Sequence, residues 1–149
     1  RTFADRIRTI ENVRKAGMTV CTGGILGLGE NDHDRASFIA RLANFSPQPE
    51  SVTINTLVPI AGTPLENQNK IDPLTVIRVI ATARIFMPQA SIRLSAGRMS
   101  LNSSEQLLAY MSGANSIFLG EKLLTSPNPS VCEDRKLFSD LGLTVMGAH

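Results

Sequence analysis

Short β-prone runs alternate with capped helices along this chain, and no other feature limits its fold as strongly. Phe3, Ile7, Ile10 and Val13 recur at helical spacing, and Gly17 follows as a C-cap. Met18–Thr22 is β-prone and ends in Gly23-Gly24. Asn31 or Asp32 can cap a second helix with the apolar face Ala36, Ile39, Ala40 and Ala43, which Pro47 and Pro49 stop. Ser51–Val58 reads as the clearest strand. After an irregular loop, Asp72-Pro73 starts a third helix, with Leu74, Ile77, Ile80, Ala81 and Arg84 on or beside one face. Ser91–Ser95 is a third strand, and Asn102 with Glu105 makes a capping box for a fourth helix closed by Gly113. Asn115–Leu119 is a fourth strand, and Ser130 with Glu133 caps a last helix that stops at Gly142.

Strands separated by helices imply right-handed parallel crossovers, hence an α/β sheet. Four βα units in 149 residues make half of an eight-stranded TIM-type barrel, or a small open sheet. No linker, repeat or low-complexity tract divides residues 1–149, which read as one domain. Arg1 falls inside a helical pattern, so the expectation is a piece of a longer chain or a trimmed product.

Composition excludes several classes. Hydrophobic residues make up 42% and charged residues 19%, the balance of a globular chain. No apolar run reaches the roughly 18–20 residues of a membrane span. The net charge of +2 is spread without basic stripes, and with no Trp and one Tyr there is no stacking surface for nucleic acid. Cys21 and Cys132 lie far apart and form no CxxC pair, which fits a reducing compartment better than a disulfide framework.

In either architecture ligands collect at the C-terminal ends of the strands. Parallel strands are normally apolar throughout, yet Cys21, Asn55 and Arg93 fall on three successive ones. Each has a plain alternative: Cys21 as a small hydrophobe, Asn55 as a strand-end amide bonded to backbone, Arg93 as the partner of a carboxylate. Together they point to a polar cavity. Gly23–Glu30 could bring backbone N–H groups to an anion, though it fits neither a Walker A loop nor GxGxxG. Thr125–Pro129 could offer donors to a carboxylate or phosphate, or simply form a stiff turn. His33, His149 and Cys132 have no partner at metal-ligand spacing.

The segments from Val20-Cys-Thr-Gly-Gly-Ile25 to Glu30, Ile54–Pro59, Gly62–Leu65, Arg93-Leu-Ser-Ala-Gly-Arg98, Gly113-Ala-Asn-Ser-Ile-Phe118 and Lys122–Pro129 resemble the biotin synthase family, in order along nearly the whole chain. The resemblance implies the C-terminal half of a radical S-adenosylmethionine (β/α)8 barrel, its last four βα units, which inserts sulfur into dethiobiotin. It implies a [4Fe-4S] cluster that cleaves S-adenosylmethionine and a [2Fe-2S] cluster held by three cysteines and one arginine. By motif, Cys21 and Arg93 would be [2Fe-2S] ligands. Ile25 and Val58 would pack on the adenine of S-adenosylmethionine. Asn55 would bind the ureido ring of dethiobiotin, and Thr125 and Ser126 its carboxylate. It further implies a flavodoxin or ferredoxin as reductant, a homodimer, and a cytoplasmic location (mitochondrial in a eukaryote).

The sequence departs from the family in lacking the CxxxCxxC triad and two of the [2Fe-2S] cysteines, so this piece alone should lack radical chemistry. Three alternatives stand beside the resemblance. They are another radical S-adenosylmethionine enzyme of related barrel type, a barrel binding a phosphorylated metabolite near Gly113–Asn128, and a half-barrel module for self-association.

Overall fold

The structure, a computed structural model, describes residues 2–120, 122–123 and 126–146, with the side chain of Ser126 left aside. The order is α1 (Phe3–Lys15), β1 (Cys21–Leu26), α2 (Asp32–Ala43), β2 (Ser51–Thr56), α3 (Pro73–Phe86), β3 (Ser91–Leu94), a 3-10 turn (Arg98–Ser100), α4 (Ser103–Met111), β4 (Ser116–Ile117), β5 (Lys122–Leu123), β6 (Ser126–Pro127) and α5 (Val131–Asp140). β1 to β4 form one sheet in chain order, and each neighbouring pair is parallel. This is the expected α/β succession, a parallel sheet with a helix at each crossover. The β5–β6 ladder is antiparallel, pairing Lys122 with Pro127 and Leu123 with Ser126, and was not legible at two residues per strand.

Local chemistry starts the helices. Asn102 with Glu105 and Ser130 with Glu133 form the expected capping boxes, and Asn31 rather than Asp32 caps α2 in a box with Asp34. Thr2 and Asp5 form another at α1. Asp72 occupies the cap position of α3 without a side-chain cap bond, and Pro73 supplies the first turn.

Two helix faces and the strand bounds differ from the sequence reading: β2 ends at Thr56 rather than Val58, β3 at Leu94 rather than Ser95, and β4 spans only Ser116–Ile117 of the expected Asn115–Leu119. α2 packs through Ile39 and Leu42, with Phe38 and Ala43 partly buried, while Ala36 and Ala40 are exposed. Large side chains bury more apolar area than alanines and so set the face. α3 buries Val76, Val79, Ile80 and Ala83, leaving Leu74 exposed. That helix is apolar over most of its circumference, so its phase was only weakly marked.

β1 begins at Cys21, not Met18, and continues through Gly23 and Gly24 to Leu26. A Cβ on Gly23 would lie 2.0 Å from the Thr53 carbonyl oxygen, and one on Gly24 would lie 3.0 Å from the Phe38 ring. These glycines are therefore strand residues that let β2 and α2 approach, not the start of the loop.

The core lies between sheet and helices. Val52 and Ile54 of β2 and Ile92 and Leu94 of β3 are buried with Leu26, against Ile39, Leu42, Val76, Ile80 and Ala83. The alternate residues of the same strands are less buried, so the opposite face of the sheet is open.

Candidate functional site

Strand register sorts the open face into levels. Cys21, Ser51 and Ser91 are aligned at the lowest level; Gly23, Thr53, Arg93 and Ser116 form the next; Ile25 and Asn55 the third. Two residues of parallel strand separate successive levels, about 6–7 Å. Val58 follows β2 beyond them, toward the C-terminal ends. Cys21, Asn55 and Arg93 thus share one face of the sheet.

Arg93 crosses that face. Its Nη1 donates toward Cys21 Sγ at 3.6 Å, its Nε donates to Ser116 Oγ at 3.0 Å, and its guanidinium carbon lies 4.5 Å from the centroid of the Phe118 ring. None of the ion pairs among the described residues involves Arg93, so the carboxylate-partner reading does not hold among them. Cys21 is exposed and donates to Ser51 Oγ at 3.4 Å, so it is not a core hydrophobe.

Asn55 is tied to backbone on both sides, donating to Gly24 O at 3.0 Å and accepting from Ala96 N at 3.1 Å. A primary amide has two N–H groups and two acceptor lone pairs, so one of each remains for a ligand. Ile25 and Val58 are 50% and 43% exposed, apolar surface left uncovered near the strand ends. Thr125 lies outside the described residues, and of Ser126 only the strand pairing with Leu123 is described. Asn128, in the same run, donates to Phe118 O at 3.1 Å and Gly120 O at 2.7 Å, bracing the segment after β4.

The loop after β1 does bind an anion through its backbone, but the anion is its own. Gly27 N donates to both Glu30 carboxylate oxygens at 2.9 and 3.0 Å, and Leu28 N to one at 2.8 Å. Arg35 adds an ion pair at 2.9 Å. Burial pushes the Glu30 carboxyl up, but the Gly27 and Leu28 N–H groups and Arg35 outweigh it and hold it below the usual range. The expectation of an external anion at these amides is corrected accordingly.

A second polar cluster gave no warning in the sequence. Arg98 and Asp134 are both 1% exposed at their side chains and pair at 2.7 Å, tying the 3-10 turn after β3 to α5. Gln106 lies beside them, 3.4 Å from Arg98 Nη1 and donating to Leu101 O at 3.1 Å. Ser51, Ser116 and Phe118 were also missed, although the polar–apolar alternation of Ser51–Thr56 could have marked an open face. His33 is exposed in the first turn of α2, Cys132 is exposed at the start of α5, and His149 lies outside the described residues.

Among the described residues, no group of three or more His, Cys, Asp and Glu side chains is placed to hold a metal ion. One thiol beside one guanidinium fits one side of an iron–sulfur cluster and not a complete ligand set. No helix among the described residues is long and apolar enough to cross a membrane.

Comparison with known proteins finds relatives in both sequence and fold. The family model for the Biotin and Thiamin Synthesis associated domain matches residues 53–144. The biotin synthase of Cellvibrio japonicus is 56% identical over 143 residues, covering 96% of this chain and 40% of that protein. A biotin synthase of Prochlorococcus marinus is 53% identical over 145 residues, covering 97% of this chain and 44% of that protein. The chain thus spans well under half the length of the curated relatives it matches. Among solved structures, a methylornithine synthase superposes with a TM-score of 0.75 at 19% identity, over 99% of this chain and 46% of that one. The FeFe-hydrogenase maturase of Carboxydothermus hydrogenoformans superposes at 0.76 and 21% identity, over 95% and 36%. These likenesses fix the fold as part of a larger parallel α/β architecture.

Proposed function

The chain belongs to the Biotin and Thiamin Synthesis associated domain family, and from that premise we propose that it is the C-terminal half of the barrel of a biotin synthase, which inserts sulfur into dethiobiotin. The observation that carries the reading is the approach of Arg93 Nη1 to Cys21 Sγ at 3.6 Å on the open face of a sheet from a chain so similar to biotin synthases. When bound, a [4Fe-4S] cluster with S-adenosylmethionine supplies the radical that takes hydrogen from unactivated carbon, and a [2Fe-2S] cluster supplies the sulfur.

This chain's own residues then divide by level. Cys21, at the lowest level, offers a thiolate to iron, which is the usual protein ligand for such clusters. Arg93, one level higher, sets a permanent cation beside it; its guanidinium has five donors and no acceptor, so charge and hydrogen bonds are what it brings. Asn55, above both, offers one N–H and one lone pair, the complement of a ureido carbonyl and N–H. Ile25 and Val58 give an apolar surface for an adenine ring at the mouth, and Thr125 and Ser126 fall to the dethiobiotin carboxylate by motif. The remaining ligands, the reductant (flavodoxin or ferredoxin) and a homodimeric assembly belong to the whole protein under this reading.

The test is anaerobic reconstitution of the full-length protein carrying this chain with iron and sulfide, then assay with S-adenosylmethionine, dethiobiotin and a reductant. Biotin is the expected product. Cluster-loaded protein that cleaves S-adenosylmethionine without forming biotin overturns the substrate assignment.

A further inference from the structure

We propose that Phe118 is a positioning residue for Arg93, laying the guanidinium flat so that its Nη1 edge points along the sheet to Cys21. The inference rests on the reading of Cys21 and Arg93 given above, and concerns what aims the cation. The Ser116 bond to Nε at 3.0 Å fixes where the end of the side chain sits but leaves the guanidinium plane free to turn about that point. The Phe118 ring, 4.5 Å from the guanidinium carbon, supplies the missing constraint, since a planar guanidinium is attracted to an aromatic face and stacks on it. Two constraints then determine the direction of Nη1, and that direction is toward Cys21 Sγ at 3.6 Å.

Ser116 is aligned with Arg93, and Phe118 directly follows β4, close enough for its ring to reach the Arg93 guanidinium. It is not part of the described core cluster between sheet and helices. Its carbonyl is held by Asn128 Nδ2 at 3.1 Å, which fixes the backbone from which the ring projects.

The test uses the full-length protein without added iron, with the Arg93 side-chain resonances assigned by their loss in Arg93→Met. Arg93 should show an upfield ring-current shift of its δ-methylene and Nε–H protons. Phe118→Leu should abolish that shift and speed exchange of the Nε–H with water, and Phe118→Tyr should restore both. Arg93 resonances without an upfield shift in the unsubstituted protein overturn the proposal before any variant is made. So does a Phe118→Leu spectrum in which they stay in place. These outcomes are separable from failure of the functional reading. Phe118–Arg93 stacking can hold in a protein whose cluster spectrum ignores Cys21→Ala, and can fail in one whose cluster needs Cys21.

Discussion

Arg93 spans the width of two strands to bring its Nη1 to 3.6 Å from the sulfur of Cys21, which stands one level lower on β1. A thiol and a fixed cation therefore meet although 72 residues separate them in the chain. Under the proposed function the first contributes a bond to iron and the second only charge and donors, and the two should respond differently to removal.

Cys21→Ala in the full-length protein should abolish the [2Fe-2S] Mössbauer signal and spare the [4Fe-4S] signal, because one iron is left a ligand short. An unchanged [2Fe-2S] signal would show that Cys21 is not a ligand.

Arg93→Met keeps much of the bulk and removes the donors. Cluster assembly should persist with altered visible spectra and partial activity. A variant that holds no [2Fe-2S] cluster would make Arg93 an obligatory ligand instead.

Arg98→Met and Asp134→Asn should each destabilise the fold by about 3–5 kcal/mol, since each strands a buried polar partner. Combining Arg98→Met with Asp134→Asn should cost less than the sum of the two single losses. Urea midpoints of the single and double variants measure it, and simple additivity would mean that the two do not act as a pair.

Two glycine substitutions should behave unequally. Gly17 has φ +74° with nothing within 4 Å of an added Cβ, so Gly17→Ala should cost about 1–2 kcal/mol of backbone strain. Gly23→Ala would set a Cβ 2.0 Å from the Thr53 carbonyl and force β1 from β2, at a cost above ~3 kcal/mol. Equal thermal shifts would contradict the close packing of these strands.

Glu50 links α1 to the sheet. Arg14 donates to one of its oxygens, and Val20 N to the other at 2.8 Å. The Arg14 guanidinium first and the Val20 N–H second hold its carboxyl down from 4.5 to about 2. The native state binds this proton less tightly than the unfolded chain does. Its stabilisation is therefore present above pH 4.5 and is lost as the pH falls toward about 2. Glu50→Gln should flatten the decline of stability across that window, and urea midpoints at stepped pH would show it. An unaltered slope would sink the assignment.

The sequence carried the succession of elements because caps and strand runs are local signals, as Asn102–Glu105 and Ser130–Glu133 illustrate. It misplaced the start of β1 because Gly23 and Gly24 are poor strand formers, and their use depends on Thr53 and Phe38, far along the chain. Cys21, Asn55 and Arg93 stood out because polar groups in parallel strands need a reason. What surrounds Arg93 did not: Ser116 and Phe118 become its neighbours only once β3 and β4 are in register. Arg98 and Asp134 look like surface charges until the turn after β3 is closed over α5.

The alternation along β2 and β3 also bears on how such a chain can change over time. Even-numbered Val52, Ile54, Ile92 and Leu94 answer to the helices, and odd-numbered Ser51, Thr53, Asn55 and Arg93 answer to whatever the open face receives. The two strings are interleaved in one sequence yet answer to separate physical demands. A lineage can rewrite the second while inheriting the first, so one scaffold is free to acquire new chemistry without having to discover a new way to fold.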